Sequence, residues 1–410
     1  MKTFLQAHAT HVDAGKALAL AGAQIEAQRR LPGRATHPTL GWLYLTDHYA
    51  TVAEQLLAQV QQRWPGVHWV GAVGIGVAAG GQEHFDTPAL SMMLAEVPAD
   101  EFRVFSGARP LADFAAHTAQ VHADPSTEEL AELIKDMSQR TATGYLFGGL
   151  ASARNRALHI AQGVLQGGLS GVAFGKNVAL VSRVTQGCQP VGPLRSVTGA
   201  DANLITELDG EPALNCLLRD LALAETTNAR DALPQLRQTL VGLSDRRAAD
   251  SEQRGRFYTP ARRGAFGSDT RVRNLVGLDP ARRGVAIGET AGPGLQVTFC
   301  TRNTEAARRD LMRICAEIRD EVEPETAPVA RAVAASRRPD SGANSDVGIA
   351  GAIYVSCTGR GGPHFGAPSA ELAVVQRALG DVPLAGFFAA GEIARHHLYG
   401  YTGVLTVFRS

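Results

Sequence analysis

The chain has 410 residues, of which 45% are hydrophobic and 20% are charged, so it is long enough and apolar enough for two ordinary domains with buried cores. It contains 40 basic and 40 acidic side chains, which leaves a formal net charge of zero. Because a neutral protein exerts no strong overall field on a polyanion, this composition argues against nucleic acid or an anionic membrane surface as the partner.

The five cysteines are widely spaced and contain no Cys-x-x-Cys pair. This pattern argues against both a disulfide framework and a structural zinc site. No stretch approaches the roughly 20 consecutive apolar residues that a membrane-spanning helix needs. These features together predict a cytoplasmic protein without a membrane anchor.

The first structural unit predicted along the chain follows an N-terminal helical segment, residues 1–32. Residues 41–45 form a short apolar run typical of a buried strand. Residues 52–64 carry an apolar residue at every fourth position, which indicates a helix. Residues 67–76 and 89–94 return to strand patterns, so the unit is strand, helix, strand, strand.

The same unit recurs near the C-terminus. Residues 41–47 align with residues 351–357, and Gly71 through Gly76 align with Gly386 through Gly391 at the same five-residue spacing. The order of the predicted elements also agrees. The alternative is that any two strand-helix-strand units look alike.

A weaker third unit is predicted to begin at residues 144–149. Its helix is expected near residues 154–165, and its later strands at residues 169–175 and 177–181.

The predicted fold class is α/β, with two domains whose mixed sheets are built from repeated β-α-β-β units and are pseudo-duplicated. The turn signal Asp209-Gly-Glu-Pro212 divides the chain into an N-terminal domain over residues 33–210 and a C-terminal domain over residues 211–410. Within the second domain, residues 244–273 contain eight arginines and little apolar periodicity. This stretch is predicted to be a solvated basic loop, with an anion-binding surface as the alternative.

Chemically active side chains follow the predicted strand ends. The two parallel strands of a strand-helix-strand unit end at the same edge of the sheet, where open α/β sheets bind ligands. Cys357, Arg360 and Glu392 should therefore share one edge, and Asp47 should share the equivalent edge of the first unit with the glycine loop that includes Gly76. A ligand pocket is predicted where these edges meet.

Each of these residues also has a structural interpretation. Arg360 suits bidentate binding of a carboxylate, or is a surface arginine. Glu392 suits an amine, or pairs with Arg360 or Arg395. Cys357 is a nucleophile if a nearby cation stabilises the thiolate, and otherwise a buried apolar side chain.

The adjacent histidines His396 and His397 have the wrong spacing for two ligands to one metal ion, so no metal site is predicted. Either imidazole alone would suffice as an axial ligand to haem.

Several motifs resemble the FIST family, whose members combine an N-terminal and a C-terminal FIST domain. The segments that carry this resemblance over nearly the whole chain are Gly187-Cys-Gln-Pro-Val-Gly-Pro193, Glu207-Leu-Asp-Gly-Glu-Pro-Ala213, Val297-Thr-Phe-Cys-Thr-Arg-Asn303, Ser356-Cys-Thr-Gly-Arg-Gly361, Gly386-Phe-Phe-Ala-Ala-Gly-Glu-Ile393 and Gly400-Tyr-Thr402.

The resemblance implies an intracellular sensor of bacterial signal transduction that binds a small molecule, with an amino acid or its derivative as the expected ligand. The sequence shows no kinase, receptor or diguanylate cyclase module, so the resemblance implies either a separate signalling partner such as a histidine kinase or a stand-alone binding protein. An alternative function implied by the family is a haem-binding sensor of nitric oxide, with haem ligation by His396, His397 or Tyr399. A cysteine-dependent enzyme is the remaining alternative, and the expected function is not enzymatic.

Overall fold

A computed structural model describes residues 1–223, 229–245, 270–323 and 348–410. Most of the arginine-rich stretch at 244–273 lies outside these ranges, so its prediction is not addressed by the structure. Among the helices in the described ranges, none combines the length and the apolarity that crossing a bilayer requires.

The chain forms two compact units. Residues 1–185 and 308–410 form the first unit, and residues 186–307 form the second. The second unit is thus an insertion in the chain of the first.

The helices of the described ranges are α1 (Ala14–Gln28), α2 (Ala53–Arg63), α3 (Leu130–Gln139), α4 (Ala213–Asp220), α5 (Ala229–Gln238), α6 (Thr304–Val322) and α7 (Ala370–Leu379). Capping shows how such a helix begins. The Asp13 side chain accepts a hydrogen bond from the Lys16 amide at 3.0 Å, which satisfies an amide that has no partner inside α1.

The strands of the first unit up to the insertion are β1 (Leu5–Thr10), β2 (Leu40–Thr46), β3 (His68–Gly74), β4 (Gly76–Ala79), β5 (Gln82–Phe85), β6 (Ala89–Ala95), β7 (Phe102–Phe105), β8 (Thr118–Ala123), β9 (Leu146–Leu150), β10 (His159–Ala161), β11 (Val164–Leu165), β12 (Leu169–Phe174) and β13 (Leu180–Gln186). The strands of the second unit are β14 (Cys188–Pro190), β15 (Arg195–Asp201), β16 (Leu204–Leu208), β17 (Glu211–Pro212), β18 (Thr239–Asp245), β19 (Arg271–Asp279), β20 (Gly284–Ile287) and β21 (Leu295–Arg302). The chain then returns to the first unit with β22 (Ile349–Cys357), β23 (Leu384–Ala389), β24 (Glu392–Arg395), β25 (His397–Tyr399) and β26 (Thr402–Arg409).

The first unit contains three six-stranded sheets with equivalent strand orders: β1-β6-β2-β3-β10-β11, β7-β12-β8-β9-β24-β25 and β13-β26-β22-β23-β4-β5. At the centre of each sheet lies a parallel pair, β2–β3, β8–β9 or β22–β23. A helix joins the two strands of each pair, and a further strand runs antiparallel to the first of them. We call these units repeat 1 (β2-α2-β3-β6), repeat 2 (β8-α3-β9-β12) and repeat 3 (β22-α7-β23-β26).

The predicted α/β class with repeated β-α-β-β units is therefore confirmed, and the repetition is threefold. A glycine at one equivalent position supports the equivalence. A Cβ added to Gly71, Gly148 or Gly386 would lie 1.8 to 1.9 Å from the carbonyl oxygen of its partner residue on the neighbouring parallel strand. Only glycine allows this close approach of two strands.

The three repeats exchange hairpins in a cycle. The hairpin β4–β5, which follows the parallel pair of repeat 1, pairs with β23 of repeat 3. The hairpin β24–β25 of repeat 3 pairs with β9 of repeat 2, and the hairpin β10–β11 of repeat 2 pairs with β3 of repeat 1. Each sheet is thus completed by a neighbouring repeat.

The predicted bounds of the third unit are wrong. Its first strand is β8 at residues 118–123 rather than residues 144–149, and its helix is α3 at residues 130–139. The segment expected to be helical, residues 154–165, contains the short strands β10 and β11 instead. Its backbone is satisfied by pairing with the distant strand β3, which a local sequence pattern cannot reveal.

The core of the first unit lies between the inner faces of the three sheets. Its largest side chains belong to one buried cluster and include Trp42, Tyr44, Phe147, Phe174, Phe387 and Phe408. The helices α1 and α2 cover the outer face of the first sheet, and α3 covers that of the second, each over a separate apolar cluster.

The second unit is built from antiparallel strands that close on themselves. Strands β21, β15, β16, β20, β19 and β18 pair in that order, and β18 pairs again with β21. The apolar side chains of these strands and of α4 form a core of their own, which includes Ile205, Val241, Val285 and Phe299.

Candidate functional site

The candidate site lies where the parallel strands of repeat 3 end. Cys357, the last residue of β22, lies beside Ala389, the last residue of β23. The Thr358 amide donates to the Ala389 carbonyl at 2.9 Å and joins the two strand ends. The glycine-rich loop after Cys357 and the segment before Glu392 both leave this edge, so the three side chains Cys357, Arg360 and Glu392 lie together.

Arg360 is buried, with 1% of its surface exposed. Its Nε and Nη2 atoms lie 2.9 and 2.8 Å from Glu371 Oε1, and Glu371 is fully buried in the first turn of α7. Phe365 lies under the guanidinium, 5.3 Å from its carbon to the ring centroid. Burial acts against the charged form, but the Glu371 carboxylate outweighs it and raises the pKa of Arg360 above its ordinary value.

Glu371 also accepts hydrogen bonds from two side chains of β22. The Tyr354 hydroxyl donates to Oε1 at 2.7 Å and the Ser356 hydroxyl donates to Oε2 at 3.0 Å. A buried ion pair is stable only when further hydrogen bonds compensate for lost hydration, and these two supply them. Sequence reasoning did not identify Glu371, although a lone acid on the apolar helix α7 was a usable signal.

Glu392 is fully buried, and only one of its two carboxyl oxygens accepts hydrogen bonds from nitrogen or oxygen donors of the described residues. Its Oε2 atom accepts hydrogen bonds from the Thr402 amide at 3.1 Å and from the Thr402 hydroxyl at 2.7 Å. Among the described residues, no nitrogen or oxygen donor reaches Oε1, and the weakly donating Cys357 thiol faces this carboxyl. Burial raises the pKa of Glu392 to about 8, against the lowering effect of Thr402.

Cys357 is 7% exposed, and its sulfur accepts a hydrogen bond from the Gly359 amide at 3.4 Å. Burial, and secondarily the Glu392 carboxyl, raise the pKa of this thiol to about 12. Nucleophilic catalysis requires the thiolate, which this surrounding disfavours at neutral pH.

The first repeat places Asp47 and Gly76 differently. The Asp47 carboxylate binds the Arg154 amide and guanidinium, both at 3.1 Å. Gly76 lies in β4, which belongs to the sheet of repeat 3, and a Cβ there would lie 3.1 Å from the Phe388 ring. Gly76 is thus brought to the Arg360 edge by the exchanged hairpin, whereas Asp47 stays on the edge of repeat 1.

The residues of the haem alternative lie in the β24–β25 hairpin. His396 is exposed, His397 is half-buried, and their ring centroids are 3.9 Å apart. Tyr399 is buried beside Glu392 on the paired strand. Haem needs an axial ligand inside an apolar cavity, and neither imidazole is buried, so the two histidines do not fit a haem pocket.

Glu83 of β5 supports the loop that carries Arg360. Its carboxylate accepts hydrogen bonds from the Gly362 amide at 3.0 Å and from the Leu372 amide at 3.3 Å. Burial raises its pKa. Sequence reasoning missed Glu83 because its role depends on the exchanged hairpin.

A second group of residues that sequence reasoning missed lies in the core. Trp42 Nε1 donates to Gln120 Oε1 at 2.6 Å, and Gln120 Nε2 donates to the Tyr44 hydroxyl at 2.8 Å. The His122 ring lies 3.3 Å from the same hydroxyl, and burial lowers its pKa to about 3. These buried polar groups join repeats 1 and 2 across the apolar core.

Comparison with protein families gives two matches that together cover most of the chain. Residues 39–211 match the FIST N domain, and residues 213–395 match the FIST C domain. The chain belongs to the FIST family. The two matches confirm the resemblance that the sequence motifs indicate. FIST domains are sensor domains of signal transduction.

Similar proteins occur in mycobacteria. An uncharacterized protein of Mycobacterium tuberculosis is 30% identical over 408 residues, which cover 95% of this chain and 96% of that protein. An uncharacterized protein of Mycobacterium bovis is 31% identical over 401 residues, 93% of each chain. The similarity therefore includes both FIST domains and the segments around them.

Proposed function

We propose that this protein is a cytoplasmic sensor that binds a small amino-acid-like molecule at the Arg360–Glu392 edge of repeat 3. The bound state is passed to a separate signalling protein, such as a histidine kinase. Membership of a family of sensor domains supports the general function. The five cysteines, all free, agree with a reducing compartment.

Two buried polar atoms carry the proposal. Within the described residues, neither Arg360 Nη1 nor Glu392 Oε1 has a nitrogen or oxygen hydrogen-bond partner. Leaving a buried polar group unsatisfied costs about 1 to 3 kcal/mol, and native proteins rarely do so without a reason. The two groups act on one another electrostatically, and both act on the Cys357 thiol. One small ligand would therefore reach both.

The two atoms define the chemistry of that ligand. Arg360 Nη1 donates, so it suits a carboxylate or carbonyl oxygen. Glu392 offers either an acceptor to an amine or, when protonated, a donor to a carbonyl. A molecule with a carboxylate and a short polar group next to it satisfies both atoms, as an amino acid or a derivative does.

Native mass spectrometry and a thermal-shift screen across amino acids and their N-acyl and amide derivatives test this function. We expect a retained ligand or a rise in melting temperature with one class of compound. Glu392→Gln should weaken that effect at least tenfold, whereas Glu54→Gln, on the exposed face of α2, should leave it unchanged.

Two results would contradict the proposal. One is the absence of any retained mass and of any shift across the panel. The other is a ligand whose affinity is the same in Glu392→Gln, in Arg360→Lys and in the parent protein. A Soret band in the absorption spectrum of freshly purified protein would favour the haem alternative instead.

A further inference from the structure

The hairpin β4–β5 covers the Arg360 edge. Its turn consists of Gly80 and Gly81, whose φ angles of +48° and +89° suit a tight two-residue turn that favours glycine. A Cβ on Gly80 would lie 2.9 Å from the Gln6 side chain of β1, and one on Gly81 would lie 2.4 Å from the Gln376 side chain of α7. The hairpin thus fits between β1 and α7 without spare room.

One face of β5 holds the loop of the site. The Glu83 carboxylate binds the Gly362 amide at 3.0 Å and a second amide at the start of α7 at 3.3 Å. The Phe85 ring packs on Phe388, with 4.2 Å between centroids. It also fills the space over Gly361, where a Cβ would lie 2.1 Å from the ring. A ligand that reaches Arg360 from this side must displace β5.

The opposite face of β5 contacts β1, because successive side chains of a strand point to opposite faces. His84 Nε2 lies 3.0 Å from His8 Nδ1, so one imidazole donates to the other. Burial lowers the pKa of both histidines, that of His84 to about 4. Both rings are therefore neutral at pH 7.

In the part of the chain that the structure describes, no charged side chain acts on the pKa of either histidine. Gln24 of α1 exchanges hydrogen bonds with the His8 backbone, Ser91 of β6 lies opposite His8 in register, and Gln6 lies against the hairpin turn. Glu83, the carboxylate of β5, belongs to the other face of the strand. A proton added to the pair consequently meets no compensating negative charge.

We propose that the β4–β5 hairpin is a lid over the Arg360–Glu392 site and that the His8–His84 hydrogen bond latches it, so that acid opens the site. The effect on ligand binding rests on the proposed function, whereas the movement of the lid does not. Glu83 is the positioning residue that couples the lid to the loop.

The direction of the pH effect follows from proton linkage. With the lid open, both imidazoles meet water and titrate near their ordinary pKa of 6.5, whereas the closed lid resists protonation. Below pH 6.5 the histidines therefore bind more protons when the lid is open than when it is closed. Their titration reduces the closed population as the pH is lowered, down to about pH 4, where His84 is protonated in the closed lid as well. At pH 5, His84 alone would lower the closed-to-open ratio about 30-fold relative to pH 7.5. Glu83 acts in the opposite direction and reduces this change, because burial raises its pKa in the closed lid.

Hydrogen–deuterium exchange of the full chain at pH 7.5 and pH 5, corrected for intrinsic rates, tests the lid. Peptides over residues 76–86 and 357–372 should lose up to about 30-fold protection at pH 5, and residues 40–46 of β2 should not. The double variant His8→Gln/His84→Gln should lose this pH dependence, and His37→Gln, which changes an exposed histidine, should retain it. Equal pH responses of residues 76–86 and 40–46 in the parent protein would overturn the proposal.

Alkylation of Cys357 by N-ethylmaleimide at pH 7.5 gives a second readout. Glu83→Gln removes one of two hydrogen bonds that hold the loop, so Cys357 should label several-fold faster than in the parent protein or in Glu54→Gln. An unchanged rate would mean that β5 does not control access. Both readouts are obtained without ligand, so a lid that opens in a protein that binds none of the screened compounds would overturn the proposed function alone.

Discussion

The Glu392 carboxyl keeps its proton to a higher pH in the folded protein than in the unfolded chain, because burial raises its pKa to about 8. In the unfolded chain the same group titrates near the ordinary value of 4.5. Between these two values the folded protein holds a proton that the unfolded chain releases. Rising pH therefore favours unfolding, and the contribution of Glu392 to stability, complete below pH 4.5, is lost by pH 8.

Glu392→Gln should remove this dependence, because the amide does not titrate. Relative to the parent protein, the variant should gain up to about 1.4 kcal/mol in free energy of unfolding for each pH unit between 4.5 and 8. Urea unfolding at pH 5, 6.5 and 8 measures the difference. Glu54→Gln serves as the control, and a parallel shift of both variants at all three pH values would contradict the assigned protonation.

The proximity of three side chains of the candidate site could be predicted from the sequence, but not the residues with which they pair. Cys357, Arg360 and Glu392 follow two strands of one parallel unit, so topology alone brings them together. Arg360 pairs with Glu371 because the loop folds back onto the first turn of α7, a tertiary contact without a local signal. The second element that contacts the loop, β5, comes from repeat 1, and local sequence patterns could not predict that it packs against repeat 3.

At the scale of single elements, the parallel strand pairs depend on one glycine each. At Gly71, Gly148 and Gly386 the neighbouring strand is so close that a side chain would overlap its carbonyl oxygen. Backbone atoms of a central strand cannot move aside without breaking the hydrogen bonds of the sheet. The predicted alignment of residues 71–76 with 386–391 detected two of these glycines.

Gly386→Ala should destabilise the first unit by about 3 kcal/mol, at the upper end of the range for overpacked cores, because the new Cβ would lie 1.8 Å from the Tyr354 carbonyl oxygen. Gly71→Ala and Gly148→Ala should behave alike. Gly107→Ala, at a position with open space, is the matched control. Chemical denaturation measures all four, and a Gly386→Ala protein as stable as the control would refute the equivalence of the repeats.

The missed bounds of the third repeat have a physical cause. Strand β8 reads Thr-Ala-Gln-Val-His-Ala, with polar side chains where the other repeats are apolar. Gln120 and His122 of this strand are buried only because Trp42 and Tyr44 of repeat 1 hydrogen-bond to them. A strand whose polar residues are satisfied across the core looks like a surface segment in the sequence.

At the scale of the molecule, the exchanged hairpins connect repeats that are far apart in the sequence, including repeat 1 in the N-terminal part of the chain and repeat 3 in the C-terminal part. Repeat 1 completes the sheet of repeat 3, which completes that of repeat 2, which completes that of repeat 1. No repeat of the first unit therefore has a complete sheet alone, and the three should unfold together. The second unit differs, because its described strands pair among themselves and the described residues of its core all belong to it.

The second unit, residues 186–307, should consequently fold when expressed alone. Its ring of six antiparallel strands closes between β18 and β21, so no strand of that ring lacks a neighbour in the absence of the first unit. Far-ultraviolet circular dichroism should show β structure that melts cooperatively. In the full chain, Gly386→Ala should lower the melting temperature of the first unit. Residues 186–307 should keep the melting temperature that the isolated fragment shows. A fragment that stays unfolded, or a full chain in which both transitions move together, would show that the insertion depends on the threefold unit.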